Sequence, residues 1–369
     1  MNNININSIR KLQTPYEIKN IYNINYEDVL FINNCRSTIN NILCGKNKKK
    51  IVIVGPCSIH NYEECLEYAK ILKKYISEFQ NIYVVIRLYF EKPRTIKGWK
   101  GFLYDPELDN TNKIDIGLIQ TRKLLIEITK LRIPIATEFL DTIIPQYIDD
   151  LISWGCIGAR TVESQLHRQL ASGLSMAIGF KNRTDGNKTI AINGMLSCKE
   201  PHSFLGIDMN GCASIINTNG NKYTCIVLRG DCVNGSNFHK YDIDKTTELL
   251  EINGLNKGII IDASHDNTLI NMKKDYMKQI SNVKNIAENW AENSIVGVMI
   301  ESNINEGKQS IEDKPLKKGI SITDGCINLE DTYKLLNFMN NSLICKSLFF
   351  LLTIIYVLVY LRLYRLTKN

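Results

Sequence analysis

The chain has 369 residues, 44% of them hydrophobic and 22% charged, with a formal net charge of +7. That is enough apolar residue for one large globular domain or two smaller ones. The positive charge is spread out, dense only over Lys46 to Lys50 and without interleaved aromatics, which argues against a nucleic-acid binder and for small phosphorylated partners. The eleven cysteines are odd in number, scattered and free of any Cys-x-x-Cys pair. With a polar, Asn-rich start in place of a signal peptide, they fit reduced thiols in a cytoplasmic protein.

In chain order, residues 1–45 read as an N-terminal extension with helical stretches around Ile39, Ile42 and Leu43. Ile51-Val-Ile-Val54 is an uninterrupted β-branched run, as in a strand buried on both faces, and it stops at Gly55-Pro56 just before Cys57. An amphipathic helix follows from Glu63 to Phe79, then a strand from Ile82 to Leu88. After a polar loop come a helix over about 117–131, a strand over 133–137 ending at Glu138, and a helix near Pro145. A short strand ends at Gly158-Ala-Arg160, a helix covers 163–172 and a strand covers 176–181. Residues 190–222 read as an inserted segment with extra strands. Strands at 223–229, 258–262 and 294–300 complete the set, with a helix over 268–290 before the last. Beyond a barrel unit spanning 46–342, residues 343–369 form a tail whose stretch from Leu348 to Leu361 is uncharged and apolar. It is shorter than the roughly 18 to 20 residues of a membrane helix. Flanking Lys346, Arg362 and Arg365 could snorkel and extend it, so it reads either as a membrane anchor or as an aberrant extension.

Strands alternating with helices imply parallel pairing and right-handed crossovers. Eight such units over about 250 to 300 residues point to a closed (β/α)8 TIM barrel, in the α/β class. An open doubly wound sheet is the alternative, but no Gly-x-Gly-x-x-Gly turn is present. In a barrel the C-terminal strand ends converge on one rim. Here they carry Cys57, Arg87, Glu138, Arg160, Lys181, Arg229, His265 and Glu301, with Asp324 after the last strand. Arg87, Lys92, Arg160, Lys181 and Arg229 are suited to a phosphate and a carboxylate, and Arg94 with Thr95 to a second phosphate. Taken singly, each reads more simply as a surface ion pair, and it is the five at converging ends that point to an anion site. Cys57, His265, Glu301 and Asp324 form a mixed donor set that suits a divalent Mn, Fe, Co or Zn ion better than Mg or Ca. Spacing alone leaves open an ordinary histidine, a helix-start acid and an N-cap.

The motifs Gly55-Pro-Cys-Ser-Ile-His60, Arg87-Leu-Tyr-Phe-Glu-Lys-Pro-Arg-Thr95, Gly158-Ala-Arg-Thr161, Gly179-Phe-Lys-Asn182, Leu228-Arg-Gly230 and Ser321-Ile-Thr-Asp324 resemble class I 3-deoxy-D-arabino-heptulosonate 7-phosphate (DAHP) synthase. The resemblance spans about residues 8–340. It implies a barrel that condenses phosphoenolpyruvate with erythrose 4-phosphate and releases phosphate. It assigns Arg87, Lys92, Arg160, Lys181 and Arg229 to phosphoenolpyruvate, Arg94 and Thr95 to the sugar phosphate, and Cys57, His265, Glu301 and Asp324 to a divalent metal. Glu138 would hold the attacking water, with Lys92 as the second catalytic group. It further implies a homodimer or homotetramer and an aromatic amino acid effector, Phe, Tyr or Trp, near Phe139, Gln146, Leu174, Ser175 and Phe204. Residues 1–45 would be the regulatory and oligomerisation extension.

The chain departs from that family's pattern at Asp231 and Arg183, where glycine is usual, and at Asn328-Leu329, where Gly-Trp is usual. Cys326, two residues past Asp324, is expected to approach the Cys57 thiol. Two other readings remain. A 3-deoxy-manno-octulosonate 8-phosphate synthase would use arabinose 5-phosphate but has a different loop at Lys92-Pro-Arg-Thr95. A catalytically degenerate, membrane-tethered regulatory protein would have no reason to keep the complete set of ligands and cations.

Overall fold

A computed structural model describes residues 2–289 and 294–343. The hydrophobic tail therefore lies outside the described residues. No helix among those described is long and apolar enough to cross a membrane.

The chain opens with α1 (Pro15–Ile21) and α2 (Tyr26–Leu43), each started by a reciprocal capping box, Thr14 with Glu17 and Asn25 with Asp28. Then come β1 (Lys50–Gly55), α3 (Tyr62–Ile76), β2 (Ile82–Arg87), α4 (Ile114–Lys130), β3 (Ile135–Glu138), α5 (Pro145–Ile148), β4 (Trp154–Ile157), α6 (Gln165–Gly173), β5 (Ala177–Lys181) and α7 (Thr189–Lys199). A hairpin of β6 (Ser203–Ile207) and β7 (Ala213–Asn217) precedes β8 (Thr224–Leu228), α8 (Lys240–Ile252) and β9 (Ile259–Asp262). A two-stranded turn, β10 (Leu269–Ile270) with β11 (Lys273–Lys274), leads to α9 (Lys278–Asn289) and β12 (Ile295–Glu301). A last helix starts at residue 329.

Eight strands close a parallel barrel in the order β1-β12-β9-β8-β5-β4-β3-β2. Because strand side chains alternate, every second residue faces the barrel interior. Those residues form their own core: Ile51 and Ile53, Val85, Ala136, Trp154 and Cys156, Ala177, Cys225 and Val227, Ile260 and Met299. Ile39, Ile42 and Leu43 of α2 belong to the same cluster, so α2 plugs the N-terminal mouth. The other strand residues face the helices and build the larger outer core.

The structure corrects three sequence expectations. The segment predicted as an insertion begins with α7, an ordinary barrel helix, and only the β6–β7 hairpin is extra. The predicted helix over 268–290 starts at Lys278, because Asn271 and Met272 adopt positive φ and turn the chain back on itself. Helix α8 was not anticipated. Its buried face is only Ile243, Thr246 and Leu250, too few apolar residues to give a clear period.

Candidate active site

The interior alternation continues one step past the apolar core and changes chemistry. Val85 is followed on the same face by Arg87, Ala136 by Glu138, Gly179 by Lys181, Val227 by Arg229, Ile260 by Asp262 and Met299 by Glu301. These side chains form a polar layer on top of an apolar plug. Glycines make room for it. A Cβ on Gly158 would lie 2.1 Å from Glu138 Oε1, and one on Gly55 2.5 Å from the Arg87 carbonyl oxygen.

Above this layer is a cavity of about 310 Å³. Seven cationic side chains line it, Arg87, Lys92, Arg94, Arg160, Lys181, Arg229 and Lys274, against the two carboxylates Glu138 and Asp324. Such an excess focuses positive potential into a concave site and selects an anion. All five cations predicted for the first substrate line the cavity, as does Arg94. Thr95 is exposed and does not line it. Arg94 is held by its own loop, Nε donating to the Trp99 carbonyl at 2.7 Å.

The deepest cations are not free. Arg87 Nη2 lies 3.1 Å from Glu301 Oε1, its guanidinium stacks 3.7 Å from the Tyr89 ring centroid, and Nη1 donates to the Cys57 carbonyl at 2.8 Å. Lys181 Nζ donates to Asp262 Oδ2 at 3.0 Å, and burial, which would neutralise it, is outweighed by that carboxylate. Arg229 pairs with Asp266.

Three of the four predicted metal ligands converge beside the cations, and His265 stands next to them. Ligand atoms of Cys57, Glu301 and Asp324 all lie within 4.8 Å of one another. His265 Nε2 faces them, 3.8 Å from Glu301 Oε1. That oxygen is buried and, although Arg87 Nη2 lies 3.1 Å away, it makes no well-formed hydrogen bond among the described residues. An acceptor with unused capacity near a thiol, an imidazole nitrogen and a second carboxylate fits a soft-to-intermediate divalent cation. Burial, helped by Glu301 and Asp324, pushes the Cys57 thiol up, so binding a metal there displaces a proton. Burial lowers the His265 imidazole more than Asp262 raises it, which keeps a nitrogen lone pair available. Asp324 is disfavoured as an anion by burial, but Lys274 Nζ at 2.7 Å prevails and holds it well below the usual carboxylate range. Cys57 N donates to Cys326 Sγ at 3.4 Å, which places the Cys326 thiol against the Cys57 backbone.

The five predicted effector residues stand apart from the cavity. Phe139 is buried against Gly155, directly after Glu138, and Gln146 is half-buried in α5. Leu174 is buried, Ser175 exposed, and Phe204 half-buried on β6. The end of α6 meets the hairpin base through Ser172 Oγ and Thr218 Oγ1 at 2.6 Å.

Asp262, Tyr89, Lys274 and Asp266 were missed in the sequence. Asp262 and Tyr89 were legible as inward positions one step beyond Ile260 and Arg87. Lys274 and Asp266 sit on short turns with no periodic signal. The departures prove peripheral. Asp231 Oδ1 accepts from Val233 N at 2.7 Å and Asn234 N at 3.1 Å within its own turn, outside the cavity lining. Arg183 pairs with Glu163 and Asp185 at the surface. Asn328 caps the last helix through Asp331 N at 2.8 Å, and Leu329 is buried.

Residues 21–337 match the model of the DAHP synthetase I family. The chain is 40% identical over 348 residues to the Tyr-sensitive phospho-2-dehydro-3-deoxyheptonate aldolase of Escherichia coli K12, covering 93% of this chain and 96% of that protein. It is 41% identical over 331 residues to the Trp-sensitive enzyme of the same organism, covering 89% and 93%. The solved structure of a phospho-2-dehydro-3-deoxyheptonate aldolase from Francisella tularensis SCHU S4 superimposes with a TM-score of 0.88 at 42% identity, over 91% of this chain and 98% of that one.

Proposed function

Since the chain belongs to the DAHP synthetase I family, we propose how its own residues divide the family's reaction. It condenses phosphoenolpyruvate with erythrose 4-phosphate and water to give DAHP and phosphate, the first step of the shikimate pathway. The observation behind this division is the juxtaposition of a seven-cation cavity with the Cys57, His265, Glu301 and Asp324 donor set.

Arg160, Lys181 and Arg229, with Arg87 and Lys92 beneath, hold the phosphate and carboxylate of phosphoenolpyruvate. Arg94, at the outer rim, holds the sugar phosphate, with Thr95 next to it on the same exposed loop. Cys57, His265, Glu301 and Asp324 would hold a divalent cation, which would supply Lewis acidity for an aldehyde oxygen. The enol carbon of phosphoenolpyruvate attacks the aldehyde carbon, and the adjacent carbon becomes electron-poor. Glu138, nearly buried at the cavity wall, orients a water toward that carbon and takes its proton. The resulting hemiketal phosphate collapses to the ketone, its C–O bond to phosphate breaking as its hydroxyl proton passes to the departing phosphate. Lys92 Nζ, 3.2 Å from the Cys57 carbonyl and 3.4 Å from its thiol, stands where it can protonate an oxygen formed between the two sites. Holding two anions in register supplies much of the rate through proximity.

Phosphate release by the full-length protein, with and without chelator, tests this reading. Erythrose 4-phosphate and arabinose 5-phosphate are compared side by side. Chelator-sensitive release with erythrose 4-phosphate is expected. Faster turnover of arabinose 5-phosphate, or none of either, would overturn it.

Aromatic amino acid control is part of the proposal, supported by relatives whose names are Tyr-sensitive and Trp-sensitive. Its place is the region of Phe139, Gln146, Leu174, Ser175 and Phe204. Activity unmoved by excess Phe, Tyr and Trp would reject it. Exposed Leu205 and Ile215 on the hairpin support self-association as a homodimer or homotetramer, readable by light scattering. We place the enzyme in the cytoplasm.

A further inference from the structure

We propose that Asp262 is a positioning residue that joins the two halves of the site, setting the proton of the metal-facing histidine with the same carboxylate that anchors the substrate lysine. This rests on the roles given above to His265 and Lys181.

Asp262 is fully buried at the C-terminal end of β9. Its Oδ2 receives Lys181 Nζ at 3.0 Å and faces His265 Nδ1 at 2.9 Å. Its Oδ1 accepts from Ser264 N at 3.1 Å and from Ser264 Oγ at 2.7 Å. Ser264 Oγ also lies 2.7 Å from His265 Nδ1. A hydroxyl has one proton, and here Asp262 Oδ1 takes it. Toward the imidazole the serine can then only accept. Both neighbours of Nδ1 are acceptors, so Nδ1 carries the hydrogen and Nε2 is left bare. The opposite tautomer would press the Nδ1 lone pair against a fully buried carboxylate oxygen. Nε2 is the nitrogen turned toward Glu301, 3.8 Å away, whose carboxylate clusters with the Cys57 and Asp324 donors. The ligand-ready form of His265 is thus fixed before any metal arrives.

The shared oxygen also couples the halves. Lys181 is nearly fully buried, and Asp262 is its ion-pair partner among the described residues. An anion entering the cavity draws on the same ammonium. Oδ2 is then left more to the imidazole, which becomes the better donor. Metal and phosphoenolpyruvate are expected to tighten each other's binding by the same factor.

The test uses the full-length protein in its metal-free form. Two-bond proton–nitrogen correlation of histidine, with His265 assigned by comparison with His265→Gln, reads the tautomer directly. The Nδ1-protonated form is expected, and an Nε2-protonated His265 overturns the proposal whether or not the protein turns over substrate. Metal affinity is read by competition with a chromogenic chelator, and phosphoenolpyruvate affinity by calorimetry. Asp262→Asn is expected to weaken metal by about 10- to 100-fold, to weaken phosphoenolpyruvate as well, and to abolish their mutual tightening. Ser264→Ala leaves the Lys181 contact intact, so it should weaken metal alone, and it decides the matter if Asp262→Asn does not fold. Folded variants with both affinities at parental values overturn the proposal. A parent that binds neither ligand would instead sink the assignment of the site, while the tautomer would still be read.

Discussion

The inner and outer parts of the cavity are built from similar side chains under opposite constraints. Arg87, Lys181 and Glu301 are each exposed by 2% or less, and each has an opposite charge against it before any ligand binds. Arg94 and Arg160 stand exposed at the rim. A charge taken out of water must be neutralised by the fold, so the deep residues carry a structural role beside the binding role proposed for them. The rim cations pay no such desolvation cost and are free to serve the ligand alone. Substitutions in the two parts should therefore fail in different ways.

Arg87→Met tests the deep part and should have the largest effect. It leaves Glu301 buried without its guanidinium, which costs about 3–5 kcal/mol of stability. Urea unfolding of the metal-free protein reads this. A loss below about 1 kcal/mol would mean that Glu301 does not depend on Arg87. Arg160→Ala tests the rim. It removes charge-assisted hydrogen bonds to the substrate anion, about 1.5–3 kcal/mol. The KM for phosphoenolpyruvate should rise about ten- to a hundredfold while the unfolding midpoint stays put. Equal loss of stability in both variants would erase the distinction.

The same contrast explains how much of the site was legible. Deep positions obey the strand period, so Cys57, Arg87, Glu138, Lys181, Arg229 and Glu301 announced themselves as polar residues ending apolar runs. Asp262 obeyed it too, one step beyond Ile260, but His265 three residues later drew the assignment instead. His265 reaches the site only because its positive φ turns the chain inward after the strand, which no periodicity encodes. The α8 helix and the β10–β11 turn were lost for a related reason. Amphipathic patterning is a record of burial, and these segments bury little.

Glu91, 4% exposed, sits just before Lys92 and outside the cavity lining. It accepts from Leu140 N at 3.3 Å and Asp141 N at 3.1 Å, tying the Lys92 loop to the loop after Glu138. Burial drives its carboxyl up to about 8, against those two backbone donors. An acid raised in the native state binds more protons there than when unfolded. Its share of stability is therefore present at low pH and is lost as pH rises from the ordinary carboxylate value toward about 8. One proton gives a slope of at most about 1.4 kcal/mol per pH unit. Glu91→Gln should flatten the fall in stability between mildly acidic and alkaline pH, measured by urea unfolding across that range. An unchanged slope would mean that Glu91 is ionised throughout.

The smallest effect concerns a residue that looks damaging in the sequence. Asp231 replaces a glycine usual in the family and follows Arg229-Gly230, so its charge should oppose an anion. In the structure its carboxylate is turned onto Val233 N and Asn234 N, with Asn234 Nδ2 adding a third donor at 2.7 Å. Three donors spread the charge, and the side chain does not reach the cavity wall. Asp231→Gly should therefore lower stability by about 1 kcal/mol through the lost turn and leave the affinity for phosphoenolpyruvate unchanged. Calorimetric titration of the variant decides between the two faces of this residue. Tighter binding in the glycine variant would show that the carboxylate is felt at the substrate after all. The deep and rim cations would then not account for anion recognition by themselves.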